Sequence, residues 1–241
     1  MPTLKALIFD CDGVLADTER DGHRVAFNKT FAQMGYDFRW DVVLYGRLLK
    51  VAGGKERMRA YFEEFGWPAE AVDKNEFIKE MHRLKTDLYM KIIDSGQLPP
   101  RSGVKRLVDE AVDQGVVLAV CSTSNQRAVN LVVERLLGPE RKDKFSAILA
   151  GGVVSQKKPD PEIYNLAKEH LGLNPAECVV VEDSRNGLLA AKEAGMNCII
   201  TISGYTGNED FTEADKVVDE LGDPPDVKVN LEDLKQIVAN K

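Results

Sequence analysis

The chain has 241 residues, 44% of them hydrophobic and 29% charged, and its 39 acids against 32 bases give a formal charge of −7. A chain of this size and make-up buries a substantial core, in one large domain or two small ones. The acidic excess speaks against general nucleic-acid binding, which depends on clustered Lys and Arg, and no stretch approaches the roughly 20 apolar residues needed to span a bilayer. The expected partner is therefore a small molecule, with no nucleic acid and no membrane.

The first apolar run, "LKALIF" at 4–9, reads as the strand that opens the fold and is too short for a secretory h-region. Residues 19–97 carry amphipathic helical patterns, "HRVAFNKTFAQM", "ERMRAYFEEF" and "FIKEMHRLKTDLYMKII", with no convincing strand between them. The Gly- and Pro-rich "DSGQLPPRSG" after them marks a hinge. From Val104 the pattern changes. A helix over 104–114 leads to "VVLAVC", one over 126–137 to "FSAILA", one over 161–171 to "CVVVED", and one over 186–194, stopped by Gly195, to "NCIIT". Short β-branched runs alternating with ten-residue helices imply a parallel sheet covered on both faces. The expected fold is an α/β core, a Rossmann-like doubly wound parallel sheet formed by 1–18 and 98–241, with a helical domain inserted at 19–97. Cys11, Cys121, Cys178 and Cys198 lie in or beside the apolar runs without CxxC spacing, which reads as buried reduced thiols.

Ligands of an open parallel sheet bind at the carboxyl ends of its strands, so the residues just past each apolar run carry the chemistry. "LIF" is followed by Asp10, Cys11, Asp12 and Gly13; "LAVC" by Ser122, Thr123, Ser124 and Asn125; "AILA" by a loop carrying Lys157, Lys158 and Pro159; "VVV" by Glu182, Asp183 and Ser184. Asp10 and Asp12, two apart, can point the same way. One carboxylate can attack phosphorus while the other protonates the leaving oxygen and later deprotonates water. Asp183 with Asp10 offers oxygen ligands to a magnesium ion. A hydroxyl of "STSN" and a backbone N–H can hold phosphate oxygens, and a lysine can offset their charge. Any residue of "STSN" can equally cap the next helix, and Glu182 can serve as a partner of Lys158 rather than of the metal.

"DCDGVLADT", "CSTSN", "KKPDPEIY" and "VVVEDSRNG" resemble the four ordered motifs of the haloacid dehalogenase superfamily of phosphatases, and the helical insertion resembles its C1 cap. The resemblance implies Asp10 as nucleophile, Asp12 as acid/base, Ser122 as phosphate ligand and Lys158, directly before Pro159, as the charge-balancing lysine. It further implies that Mg2+ is bound by Asp10, Asp183 and the Asp12 carbonyl, with Glu182 supporting the site, and that Thr123, Ser124 and Asn125 face the substrate.

In the insertion, "LYGRLLKVAGGKERMRAYF" at 44–62 carries Tyr45, Arg47, Gly53, Gly54, Lys55 and Arg57. Helix N-terminal N–H groups beside cations make an anion site, while a P-loop is not supported because the GxxxxGK[ST] spacing is missing. Glu19 and His23, four apart on the first cap helix and beside the active-site loop, are expected to share one face, and "HRLKT" adds His82 and Lys85. With "DTERDGHRVAFN" and "HRLKTDLY", this stretch resembles the CbbY type, the xylulose-1,5-bisphosphate phosphatases. That resemblance implies removal of the C1 phosphate of xylulose 1,5-bisphosphate, an inhibitory by-product of Rubisco, to give xylulose 5-phosphate. A second anion site in the cap is what a bisphosphate requires, and Gly53, Gly54, Lys55 and Arg57 are its candidates; Glu19 and His23 can hydrogen-bond sugar hydroxyls, and Tyr45, Arg47 and Lys85 complete the substrate-binding candidates. The likeness to the plant branch implies a monomer of the chloroplast stroma, shortened by a transit peptide; the bacterial branch implies the cytoplasm. A β-phosphoglucomutase-like mutase shares nucleophile, metal and cap type and stays open. A catalytically idle sugar-phosphate binder would be marked by loss of an aspartate, and Asp10 and Asp12 are both present.

Overall fold

The computed structural model describes residues 2–51, 53–96 and 98–240. Gln97, where the inserted segment is expected to end, and Ala52, inside the stretch 44–62, lie outside them, as do Met1 and Lys241. The chain forms two compact units, Met1–Asp17 with Pro99–Lys241, and Thr18–Leu98.

The elements in chain order begin with β1 (Ala6–Phe9), followed by a π-helical turn at Glu19–His23 and the helices α1 (Arg24–Gln33), α2 (Val42–Leu48), α3 (Gly54–Phe65) and α4 (Lys74–Asp94). Next come α5 (Val104–Asp113), β2 (Val117–Cys121), α6 (Gln126–Leu137), the short α7 (Pro139–Lys142) and β3 (Phe145–Leu149). The last elements are α8 (Glu162–Leu171), β4 (Cys178–Glu182), α9 (Arg185–Glu193), β5 (Asn197–Thr201), β6 (Lys216–Val218) and α10 (Leu231–Ala239).

All the strands join one parallel sheet in the order β3-β2-β1-β4-β5-β6. This is the Rossmann-like doubly wound arrangement, with β1 at the centre. β1, β4 and β5 are buried at every position, which is why they read as unbroken apolar runs rather than alternating ones. Phe9 pairs with Val120 on one side and Val181 on the other. That register brings Asp10, Cys121 and Glu182 to the same edge of the sheet. The helices start where side chains satisfy their first N–H groups: Asn125 accepts from Arg127 and Ala128 at α6, and Ser184 accepts from Gly187 at α9.

The helical unit packs around aromatic rings. Trp40 lies 4.5 Å from Phe27, 5.1 Å from Phe31 and 5.3 Å from Tyr61, measured between ring centroids. Such tilted and edge contacts add to the apolar area each ring buries.

The structure adds elements that the periodicity does not announce. β6 is three residues long with an exposed middle position, so its pattern is too brief to register. α2, at seven residues, is likewise under two turns.

Candidate active site

Asp10 follows β1 directly, and its N–H donates to the Val181 carbonyl at 2.9 Å. Its Oδ1 accepts from Lys158 Nζ at 2.6 Å, and the same ammonium donates to Glu182 Oε1 at 2.6 Å and to the Cys121 carbonyl at 2.9 Å. All three ammonium protons are thus directed, and the Tyr164 ring centroid lies 4.9 Å away. The Tyr164 hydroxyl, from α8, donates to Glu182 Oε1 at 2.6 Å. Glu182 Oε2 accepts from the Asp183 N–H at 3.2 Å and the Ser184 hydroxyl at 3.4 Å. Both carboxylate oxygens of Glu182 are therefore occupied by protein donors, Lys158 foremost.

Ser122 is buried, its N–H bonded to Leu149 O at 3.0 Å and its Oγ accepting from the Ser124 N–H at 3.1 Å. The Ser124 hydroxyl donates to Asp12 Oδ2, tying the expected acid/base to the loop after β2. Asn125 spends its side chain on capping α6. Gly151 packs against this loop, its N–H bonded to Ser124 O at 2.9 Å, and a Cβ there would run into the Thr123 carbonyl.

Asp10, Glu182 and Asp183 are all buried, with one oxygen from each within 4.8 Å of the others. Lys158 is the cation in direct contact with two of them. Burial raises Asp10 to about 8 against the opposing pull of Lys158, with Glu182 and Asp12 adding to the rise. Burial likewise pushes Asp183 well above the carboxylate range, with Glu182 and Asp10 adding to it. Lys158 is held above its ordinary value: Asp10 and Glu182 overcome the desolvation that would lower it. A carboxylate cluster this poor in positive charge favours a cation, and an all-oxygen donor set suits a hard divalent ion such as magnesium. Because Glu182 is occupied, Asp10 and Asp183 are the carboxylates best placed to hold it.

In the helical unit, the Tyr45 hydroxyl donates to Glu19 Oε2, and Arg57 Nη1 donates to Tyr45 Oη at 2.9 Å and lies 3.7 Å from Glu19. Lys85 bonds His23 Nδ1 and lies over the Phe27 and Tyr89 rings at 4.7 and 4.9 Å. Arg57 and Lys85 are both buried. Glu19 and His23 bond different groups, Glu19 the Tyr45 hydroxyl and His23 the Lys85 ammonium. The segment winds as a π-turn, with the Arg24 N–H closing on Glu19 O. Arg47 is not among these groups: it is 54% exposed, pairs with Glu64 at 2.9 Å and lies over Phe65. Lys55 is exposed at the start of α3. A Cβ on Gly54 would approach His82 Nε2 at 2.9 Å, and burial with Lys85 and Lys55 lowers His82 to about 4.

Three participants escape the sequence reading. Tyr164 sits in "KKPDPEIY", but an aromatic on a helix reads as core, and only its hydroxyl reveals a role. Arg101 contacts mostly carbonyls, which carry no sequence signal. Gly187 lies where a Cβ would overlap the Glu182 carboxyl group. Gly187→Ala is expected to displace Glu182 and with it Lys158, lowering kcat/KM by about tenfold or more and stability by about 1–3 kcal/mol. Phosphate-release kinetics beside thermal unfolding check it; an unchanged kcat/KM would show that Glu182 does not set the position of Lys158.

The family model of the haloacid dehalogenase-like hydrolases matches residues 4–195. A CBBY-like protein of Arabidopsis thaliana is 57% identical over 230 residues, covering 94% of this chain and 72% of the relative. The CbbY protein of Cupriavidus necator is 41% identical over 223 residues, 92% of this chain and 87% of its own. Among solved structures, an aspartate-to-asparagine mutant of CbbY from Rhodobacter sphaeroides, in complex with xylulose-(1,5)bisphosphate, superposes with a TM-score of 0.86 at 37% identity, covering 96% of this chain and 99% of that one. These likenesses span the sheet edge built by Asp10, Lys158 and Asp183 as well as the helical unit. The chain belongs to the haloacid dehalogenase-like hydrolases and is a phosphoric monoester hydrolase of the CbbY type.

Proposed function

We propose that the chain hydrolyses the C1 phosphate of xylulose 1,5-bisphosphate to give xylulose 5-phosphate, with magnesium and through an aspartyl phosphate on Asp10. The observation that carries this reading is the buried Asp10, held by Lys158 at 2.6 Å in one cluster with Asp183. Likeness to a protein crystallised with xylulose-(1,5)bisphosphate supports the substrate.

In the first half of the reaction an Asp10 carboxylate oxygen forms a bond to phosphorus as the bond to the C1 oxygen breaks. Asp12 gives its proton to that departing oxygen, and xylulose 5-phosphate leaves. In the second half Asp12, now ionised, takes a proton from water; the water oxygen bonds phosphorus, the P–O bond to Asp10 breaks, and phosphate is released. Ser124 holds Asp12 in place for both transfers. Lys158 balances negative charge on Asp10 and the phosphoryl oxygens, and Ser122 and the N–H groups of the following loop receive those oxygens. Magnesium, held by Asp10, Asp183 and the Asp12 carbonyl, supplies Lewis-acid stabilisation of phosphoryl charge when bound. Recognition of the second phosphate falls to the cations of the helical unit, Arg57 and Lys85, with Gly53, Gly54 and Lys55 at the start of α3. Glu19, His23 and Tyr45 offer hydrogen bonds to sugar hydroxyls. In a plant or alga this activity would clear a Rubisco inhibitor in the chloroplast stroma.

The test is magnesium-dependent phosphate release from xylulose 1,5-bisphosphate, ribulose 1,5-bisphosphate, β-glucose 1-phosphate and glucose 1,6-bisphosphate. A preference of at least about tenfold in kcat/KM for the first, roughly 1.4 kcal/mol of transition-state binding, is the expected result. Conversion of β-glucose 1-phosphate to glucose 6-phosphate with little free phosphate would replace the phosphatase reading with a mutase.

A further inference from the structure

Arg101 lies just ahead of α5, and its guanidinium gathers backbone from three separate segments. Nη1 donates to the Gly13 carbonyl and to Thr201 O at 3.1 Å. Nη2 donates to Ile202 O at 2.6 Å and to the Asp219 carbonyl. Its own N–H donates to Leu15 O at 2.9 Å. The loop after β1, the end of β5 and the stretch after β6 are thus tied to one planar group.

Two of those carbonyls flank the same carboxylate. Gly13, at φ 88°, turns its Cα so closely onto Asp183 that a Cβ would enter the carboxylate. Its N–H donates to Ala16 O at 2.8 Å, so the loop is closed on itself, and Arg101 holds it from outside at Gly13 O and Leu15 O. On the other side, Ile202 precedes Ser203, whose side chain lies beside Asp183 and is itself fixed against Thr206 Oγ1 at 3.2 Å. The carboxylate of Asp183 therefore rests between two walls, and one guanidinium grips both.

We propose that Arg101 is a positioning residue for the metal site, fixing the Gly13 and Ile202–Ser203 peptides so that the Asp183 carboxylate is presented to a divalent cation. The inference rests on Asp10 and Asp183 as the metal's carboxylate ligands. Only arginine suits the role: five N–H donors in a rigid plane reach carbonyls in several directions, whereas a lysine ammonium at the end of a flexible stem cannot span them. Outer partners that orient a ligand typically change metal affinity by about 10–100-fold.

Arg106 supplies the comparison within the same unit. Its guanidinium also clasps carbonyls, those of Gly222 at 2.7 Å and Val229 at 2.7 Å, and pairs with Glu110 at 2.5 Å, but those contacts lie on other segments than the metal cluster. The experiment is Mn2+ binding, followed by the loss of the free-ion paramagnetic resonance signal, to full-length wild type, Arg101→Lys, Arg106→Lys and Asp183→Asn. Arg101→Lys is expected to raise the Mn2+ Kd about tenfold or more, and Arg106→Lys to leave the Kd unchanged. Unchanged affinity in Arg101→Lys, or equal weakening in both arginine variants, overturns the proposal. Failure of wild type to take up Mn2+, or undiminished uptake by Asp183→Asn, overturns the metal assignment instead, so the two failures are told apart. If Arg101→Lys does not fold, wild type decides: resolved Arg101 Nη resonances that shift on adding Mg2+ support the role, and averaged, unmoved ones refute it.

Discussion

Asp10→Asn is expected to lower phosphate release by at least about 10⁴-fold, as removal of a nucleophile does where no other group can take its place. The substitution is nearly isosteric. The Asn carbonyl can still accept from Lys158, which now stands 2.6 Å from Asp10 Oδ1, so the loss falls on bond formation to phosphorus rather than on the shape of the site. A 10⁴-fold loss corresponds to roughly 5.5 kcal/mol of activation free energy. The fold should not suffer. Burial raises Asp10 to about 8 in the metal-free protein, above its unfolded value, so the folded state binds more protons than the unfolded state between about pH 4 and 8. The associated stability is present in full below pH 4 and is lost as the pH rises through 8. The Asn variant lacks that titration, and metal-free wild type should therefore lose about 1–3 kcal/mol relative to it between pH 5 and 8. Phosphate release and urea unfolding in chelator check both halves; more than 1 part in about 100 of residual kcat would remove Asp10 from the nucleophile's role.

The core of the site was legible because a strand buried on both faces is an apolar run that stops abruptly, and the residues at the stop are those the sheet presents to a ligand. Asp10, Ser122 and Glu182–Asp183 were found in that way, and the register of β1 with β2 and β4 brings their strand ends together. Lys158 was less directly readable, since it arrives from a loop and only its place before Pro159 singles it out from Lys157. The helical unit was harder to read. The spacing of four at Glu19 and His23 does not reveal partners that arrive from distant segments, Tyr45 for the one and Lys85 for the other. Cations at 47, 55 and 57 look alike in sequence, yet Arg57 is buried against Tyr45 while Arg47 is turned to Glu64. Arg101 and Gly187 were invisible for a different reason: one acts on carbonyls that every residue possesses, the other through the absence of an atom.

Lys158→Met should be the most destabilising single change at the site in the absence of metal. Methionine fills much of the same volume and keeps contact with the Tyr164 ring, so packing is largely preserved. What disappears is the ammonium that donates to Asp10, Glu182 and Cys121 O at 2.6, 2.6 and 2.9 Å. Breaking a buried ion pair by removing one partner costs about 3–5 kcal/mol, because the remaining charge is left without compensation, and here Glu182 and, above about pH 8, Asp10 lose theirs. Asp10, freed of the pull of Lys158, then holds its proton to a still higher pH. Activity should fall by about 10²–10³-fold, since charge on the phosphoryl oxygens loses its fixed counterion. The two effects part company when Mg2+ is added. Lys158 competes with a cation for the same negative charge, so its removal should make the stabilisation by Mg2+ larger than in wild type, while kcat remains low because a cation does not restore the hydrogen bond that Lys158 gives Asp10. Thermal unfolding across a Mg2+ titration, beside kcat at saturation, separates them. A variant as stable as wild type in chelator would mean that Lys158 balances the charge of the reaction rather than that of the fold.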